Sequence, residues 1–318
     1  WLSGSAAGFN EVLLEFGNEN WNAIFRPAGI PDPAAHGQAA TRCFDQIKSA
    51  AGPLRPKLKT VVNAHSVNPW NAAKTAGAAA TADILAVAPY FLHSLPSGLT
   101  LEARKAALFA PEPGGVAALA ERMHGAGPKL AVYEVNLHTV GGDASPEERS
   151  SVLRSAAAGA ALARVMLEAL RAGATRQCAY VLAGYDAKLS HREGFVELWG
   201  LMRDLTPGDR FRPTGRALLL LNRVVRGTLG RSNGEGQGVT VYGFFEGKQW
   251  SLAVINQAAE ERRVEIRFPP GTLPPGKAMR LTEAGTEETT TGRGGSTMTL
   301  TVPAQSLIVL PPKERNSP

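Results

Sequence analysis

Cysteine is almost missing from this sequence. Cys43 and Cys178 are its only two, far apart and in different apparent elements, so they define no disulfide framework and hold no metal without outside ligands. The six histidines are scattered, and neither His-Glu-x-x-His nor Cys-x-x-Cys occurs. No metal and no other cofactor is therefore expected. No apolar run reaches the length of a membrane span, and no leader peptide is visible in a chain that opens at Trp1. Lysine and arginine exceed aspartate and glutamate by 34 − 28 = 6, but the excess is spread thinly and forms no basic block. That distribution argues against a nucleic-acid or membrane-surface partner.

What is present is a rhythm. Short, nearly continuous apolar segments near residues 12–17, 58–65, 83–88, 129–134 and 177–183 read as strands. Between them lie helical stretches: Ala34 to Ala51, Ala72 to Ala82, Leu101 to His124 with a break at Pro111-Glu112-Pro113-Gly114-Gly115, Pro146 to Arg171, and Pro213 to about Gly227. Pro146 to Arg171 is expected to be the longest helix, with Ser145 as N-cap and Glu148 at capping-box spacing. Strands alternating with helices call for a parallel sheet covered by helices, an α/β fold. At 318 residues the chain has room for one large and one smaller domain.

The pattern changes at Gly230. The polar, glycine-rich stretch Arg231-Ser232-Asn233-Gly234-Glu235-Gly236-Gln237-Gly238 leads into a strand, not a helix, so it reads as a connector. Beyond it, period-2 segments and turn signals over residues 238–312 indicate an antiparallel β-sandwich of about eighty residues. Lys313 to Pro318 reads as a frayed tail.

Polar and aromatic residues gather where the strands end, the end at which α/β folds place their chemistry. After the apolar run Val12 to Phe16, Gly17-Asn18-Glu19-Asn20-Trp21 offers amides for sugar hydroxyls, an indole for a sugar face and a carboxyl to carry a proton. Taken alone, Asn-Glu-Asn reads first as a turn with Glu19 a solvated loop residue. The segment Tyr133-Glu134-Val135-Asn136-Leu137-His138 supplies a second glutamate at a strand end, with two strands between. Two such glutamates on one sheet form a much narrower pattern than either alone.

At this point the sequence resembles the clan A glycoside hydrolases, retaining enzymes on a (β/α)8 barrel. Gly17-Asn18-Glu19-Asn20-Trp21 looks like the clan's fourth-strand motif, closest to the form in α-L-arabinofuranosidases, and Val132-Tyr133-Glu134 looks like its seventh strand. The resemblance implies a partial TIM barrel, strands four to eight, over residues 1–230, with the trailing sandwich as an accessory domain. Strands one to three would then precede residue 1. Carried over by position, Glu19 is the general acid/base and Glu134 the nucleophile. Asn18 would donate to the sugar 2-hydroxyl, and Tyr90 would hydrogen-bond the nucleophile. The favoured activity is α-L-arabinofuranosidase, with β-xylosidase, β-glucuronidase and endoglucanase open. The implied partner is a carbohydrate, and polysaccharide substrates favour a secreted or periplasmic location. A non-catalytic carbohydrate-binding or degenerate barrel protein is the rival.

Other residues carry two readings each. His65 and His138 either line the pocket or are structural, and Trp21 and Trp70 are either sugar platforms or core packing. Glu15, inside its strand, reads as structural; Asn136 reads as a turn residue or a support for its neighbours. Tyr185 and Asp186 fall on the expected rim.

Overall fold

A computed structural model describes residues 8–24, 29–111, 114–125, 127–188, 195–198, 200–231, 236 and 238–313. Five strands form one sheet in the order β1 (Val12–Glu15), β2 (Leu58–Ala64), β3 (Ile84–Val87), β4 (Lys129–Val135) and β5 (Gln177–Ala179). β1 to β4 pair in parallel, Leu14 opposite Thr60, Val61 opposite Ile84, and Ile84 opposite Lys129. The result is a parallel half-barrel, as the strand–helix rhythm leads one to expect. β3 is buried on both faces throughout, and β2 at every residue but Lys59. Their continuous Val, Ile, Leu and Ala content follows from that position. β1 lies at the sheet's edge and alternates half-buried with exposed residues, leaving Leu13 46% exposed.

The helices start where local chemistry allows. Asp32 accepts from the Ala35 N–H at 2.7 Å to open α1 (Pro33–Ala50), and Asn68 does the same for Asn71 at α2 (Pro69–Ala78). Proline occupies the first turn of both, where its missing N–H costs nothing. A Cβ on Gly37 would lie 2.4 Å from the Thr75 carbonyl oxygen, so only glycine lets α1 come this close to α2.

Leu101–His124 contains α3 (Leu101–Ala107) and α4 (Gly115–Met123); Glu112 and Pro113, within the expected break, lie outside the described residues. The span from Pro146 to Arg171 is not one helix. It comprises α5 (Pro146–Leu153), opened by the full Ser145–Glu148 capping box, and α6 (Ala156–Arg171). Ser155 separates them: its hydroxyl donates to the Val152 carbonyl at 2.7 Å and accepts from the Ala158 N–H at 3.3 Å. One side chain thus closes a helix and opens the next, and among the described residues the longest helix is α1, at 18 residues.

After β5, β6 (Tyr185–Lys188) pairs with β7 (Phe195–Leu198), and α7 (Pro213–Val224) follows. Nothing is described of the side chains of Tyr185 and Asp186. The remaining strands are β8 (Thr228–Leu229), β9 (Val239–Glu246), β10 (Gln249–Asn256), β11 (Arg262–Arg267), β12 (Ala278–Leu281), β13 (Thr286–Thr289), β14 (Thr291–Gly294), β15 (Thr297–Val302) and β16 (Ser306–Leu310). They make a six-stranded sheet, β13-β12-β16-β10-β9-β8, and a three-stranded one, β11-β15-β14. Leu252, Val254, Ile308 and Leu310 of the first meet Met298, Leu300 and Val302 of the second in one buried apolar cluster. β8 precedes the glycine-rich connector yet pairs with β9, Thr228 opposite Phe245. Residues 232–235 and 237 of the connector, and residues 314–318 of the expected tail, lie outside the described residues.

By contact the chain divides into two compact units. The first is Trp1–Pro89, Glu112–Val135 and Glu168–Cys178; the second is Tyr90–Pro111, Asn136–Leu167 and Ala179–Pro318. Cys43 and Cys178 are both free thiols.

Candidate active site

In the first unit the site is assembled at the end of β1. Phe16 continues the ladder, its N–H donating to Val61 O at 2.9 Å. The chain then turns at Gly17, whose φ of +69° and lack of a side chain are both required. A Cβ there would sit 2.2 Å from Asn20 Oδ1. Glu19 follows in the left-handed region, φ +46°, a conformation that a non-glycine residue holds only when its surroundings fix it.

Asn63 of β2 does much of that fixing. It is 0% exposed. Its Nδ2 donates to Glu15 Oε1 at 3.0 Å, to Phe16 O at 3.2 Å and to Gly17 O at 3.4 Å, while its Oδ1 accepts from the Asn20 N–H at 3.0 Å. Every polar atom of this buried amide is used, which is the condition for burying it at all. The turn bearing Glu19 is therefore tied to the central sheet, not left to solvent.

Glu19 Oε1 accepts from the Tyr133 hydroxyl at 3.2 Å. Tyr133 rises from β4 and packs against Val61, Ile84, Ala86 and Ala131 on one face of the sheet. Burial pushes the Glu19 pKa above its ordinary value of 4.5; the Tyr133 bond pulls it back, and the Glu134 charge pushes it up further. Glu15 is raised by burial and by the charges of Glu134 and Glu19, against the pull of its Asn63 bond. Much of the Glu15 residue is open to solvent, so screening keeps that effect small. Burial also drives the Tyr133 phenol upward, as does the Glu19 charge. Three carboxyl groups thus feel one another here. A buried carboxyl with a raised pKa beside a second carboxylate is the arrangement that lets one donate a proton while the other stays ionised.

Trp21 stacks on His65, with ring centroids 4.2 Å apart and planes 7° from parallel. One indole face is therefore already covered. Trp21 is partly buried while His65, past the end of β2, is exposed. The Trp21 indole N–H opposes the rise in the Tyr133 pKa. Asn18 is exposed on the same turn. Trp70, at the first turn of α2, is 66% exposed and carries the Arg122 guanidinium over its ring.

The second unit holds another aromatic group, on the segments that follow β3, β4 and β5. Tyr90 meets His138 edge to face at 5.6 Å and Tyr180 at 6.3 Å, and His93 lies 5.1 Å from His138. Burial, then the charge of His93, lowers the His138 pKa to about 4, so it is a neutral imidazole at ordinary pH. Asn136 donates to Tyr180 O, and its Oδ1 accepts from the Leu137 N–H at 2.8 Å. Arg149, 0% exposed, pins the loop after β4 by donating to the carbonyls of Thr139, Gly141, Gly142 and Ala144.

Glu19, Trp21 and His65 are thus gathered in the first unit, with Glu134 close enough for its charge to act, and Tyr90 and His138 in the second. Sequence reasoning assigned no role to Asn63, Tyr133, His93 or Tyr180. Asn63 had one signal, a lone amide inside a strand with no exposed face to carry it.

No protein-family model matches the sequence, and no curated protein sequence does either. Solved structures do match. The family 51 α-L-arabinofuranosidase AbfB from Bifidobacterium longum aligns with a TM-score of 0.63 at 13% identity, over 93% of this chain and 67% of that one. The GH51 arabinofuranosidase from Xanthomonas axonopodis pv. citri gives 0.62 at 14% identity, over 95% and 66%. The family 30 subfamily 8 xylanase Xyn30A from Clostridium acetobutylicum gives 0.53 at 12%, over 85% and 59%. The chain spans about two thirds or less of the length of these proteins. Likeness at such low identity concerns the fold: this chain shares its architecture with TIM-barrel glycoside hydrolases of families 51 and 30.

Proposed function

We propose that this chain carries the two catalytic carboxyls of a retaining glycoside hydrolase, with α-L-arabinofuranosidase as the favoured activity. The observation that carries the reading is the Glu19 carboxyl, held by Tyr133 and raised by burial and by the charge of Glu134. In this reading residues 1–230 belong to the barrel, β1 being its fourth strand and β4 its seventh, and residues 238–312 form the accessory β-sandwich.

Protonated Glu19 donates to the glycosidic oxygen while ionised Glu134 attacks C1, breaking the C1–O bond and forming a glycosyl ester. Glu19, now ionised, takes a proton from water as its oxygen attacks C1 and frees Glu134. Protons, electron pairs and one water balance the cycle. The mechanism requires the two carboxyls about 5–5.5 Å apart. Asn18 serves the sugar 2-hydroxyl, and Trp21 and His65 line the pocket. An exported protein acting on plant or microbial polysaccharide fits this chemistry.

A second reading rests on the same turn, where Trp21 stacks on His65 and Asn18 stands exposed, an aromatic group and an amide that a sugar could meet without reacting. Such a group suits a protein that binds carbohydrate without turning it over. One experiment separates the two. A panel of aryl glycosides offered to the chain should include at least one that is hydrolysed with retention. Glu134→Ala should cut that rate by about 10,000-fold while sugar binding persists. Binding with no turnover of any glycoside favours the second reading, and undiminished turnover in Glu134→Ala removes Glu134 as nucleophile.

A further inference from the structure

We propose that Tyr133 is a positioning residue that ties the two carboxyl-bearing strands together and governs when Glu19 gives up its proton. The inference rests on the assignment of Glu19 and Glu134 above. β1 and β4 are not neighbours: β2 and β3 lie between them in the sheet. The Tyr133–Glu19 hydrogen bond nevertheless links residues 114 apart in sequence, from the position immediately before Glu134. Packing against Val61, Ile84, Ala86 and Ala131 fixes the phenol on the same strand that carries Glu134. The bond therefore ties the Glu19 carboxyl to the strand that carries Glu134.

The bond has a direction. Burial and the facing carboxylates hold the proton on this phenol, and toward a Glu19 carboxylate, which can only accept, it is the donor. Donation favours the ionised form of Glu19 and opposes the burial and the Glu134 charge, both of which favour the protonated form. Glu19 must hold a proton in the first half of the cycle and accept one in the second. Tyr133 binds it more strongly in the ionised state, the state that exists while the glycosyl ester awaits water. The other groups facing this pair are Glu15 from β1, Glu134 from β4, and Trp21 with His65 stacked on it.

The test needs no turnover. With glutamate labelled at the side-chain carboxyl carbon, the Glu19 titration is followed by 13C NMR in the full chain and assigned by Glu19→Gln. Tyr133→Phe should move the Glu19 midpoint upward, and a midpoint that stays or falls overturns the proposal. On a hydrolysed glycoside the same variant should lose kcat/KM on the order of 10- to 100-fold, with the basic limb of its pH profile shifted upward. A uniform loss with the limb unmoved also overturns it. If Tyr133→Phe does not fold, 3-fluorotyrosine at position 133, a stronger donor of nearly the same shape, should move the midpoint downward; no movement or an upward one counts against the proposal. Failure of the catalytic assignment looks different: turnover then survives Glu134→Ala, whatever the Glu19 midpoint does.

Discussion

The parallel sheet and the antiparallel pair bury their strands to different ends. Where β10, β16 and β15 meet, the interior is an apolar cluster of Leu, Ile, Val and Met drawn from those strands. In the parallel sheet, β2 and β3 are as deeply buried, yet the interior admits Asn63 at 0% exposure and Tyr133 beside Ala131. Those polar groups all point toward one end of the sheet, where Glu15, Glu19 and Glu134 interact. The difference teaches that packing and chemistry occupy separate regions of this chain. Burial in the antiparallel sheets stabilises, while burial beside the carboxyls costs stability and raises pKa values. Substitutions should therefore sort cleanly: antiparallel-core changes should alter stability alone, and parallel-sheet polar changes should alter the site first.

The largest stability effect expected is in the antiparallel core. Ile308 is 0% exposed, in the shared cluster, on a strand flanked by β12 and β10. Ile308→Ala removes buried methyl groups and leaves a cavity, at about 2–5 kcal/mol. Urea unfolding should report that loss, while the pH profile for any hydrolysed glycoside keeps its shape. A shifted profile would mean that the two regions are coupled, and the comparison would break.

Asn63→Ala probes the other side. The substitution strips a donor from Glu15 and from the Phe16 and Gly17 carbonyls, and an acceptor from the Asn20 N–H. Leaving buried groups unpaired costs about 1–3 kcal/mol. The larger consequence falls on the turn, since Glu19 is held at φ +46° by a loop that Asn63 anchors. Turnover should fall by a larger factor than sugar affinity, measured as kcat against the dissociation constant of a non-hydrolysed sugar. An equal loss in both would make Asn63 a stabilising residue with no hold on the geometry.

Much of this was legible in the sequence because the strands are short, apolar and terminated by polar clusters. β1, β2, β3 and β5 fall within the expected segments, β4 runs one residue past its own, and Trp21 stacks on His65 past the strand ends. What the sequence concealed were single side chains with no periodic signature. Ser155 sits in Arg-Ser-Ala-Ala-Ala, which reads as uninterrupted helix until its hydroxyl is seen capping both sides. β13 and β14, Thr286–Thr289 and Thr291–Gly294, carry threonine, glutamate, arginine and glycine with no apolar alternation, so their pairing is invisible without partners. Tyr133 stands in the seventh-strand motif with no role of its own and Asn63 in none; their roles come from what lies opposite, across strands far apart in sequence.

The smallest effect expected is also the most direct reading of cost. A carboxyl whose pKa is raised in the folded state binds its proton more tightly there than in the unfolded chain. Its contribution to stability is therefore present below the ordinary value of 4.5 and is lost as pH rises through the folded value. Glu15→Gln keeps an oxygen for the Asn63 Nδ2 donor and removes the charge facing Glu134 and Glu19. At pH 7 the variant should be more stable than the parent, by less than about 1 kcal/mol because Glu15 is solvent-screened along much of its length. Below pH 4 the two should converge, since both side chains are then neutral. Thermal unfolding of the pair from pH 4 to pH 8 measures the gap. A gap that opens with rising pH marks Glu15 as a carboxylate kept at a cost in stability; a constant gap would place its effect in packing, and this end of the sheet would then behave like the antiparallel core.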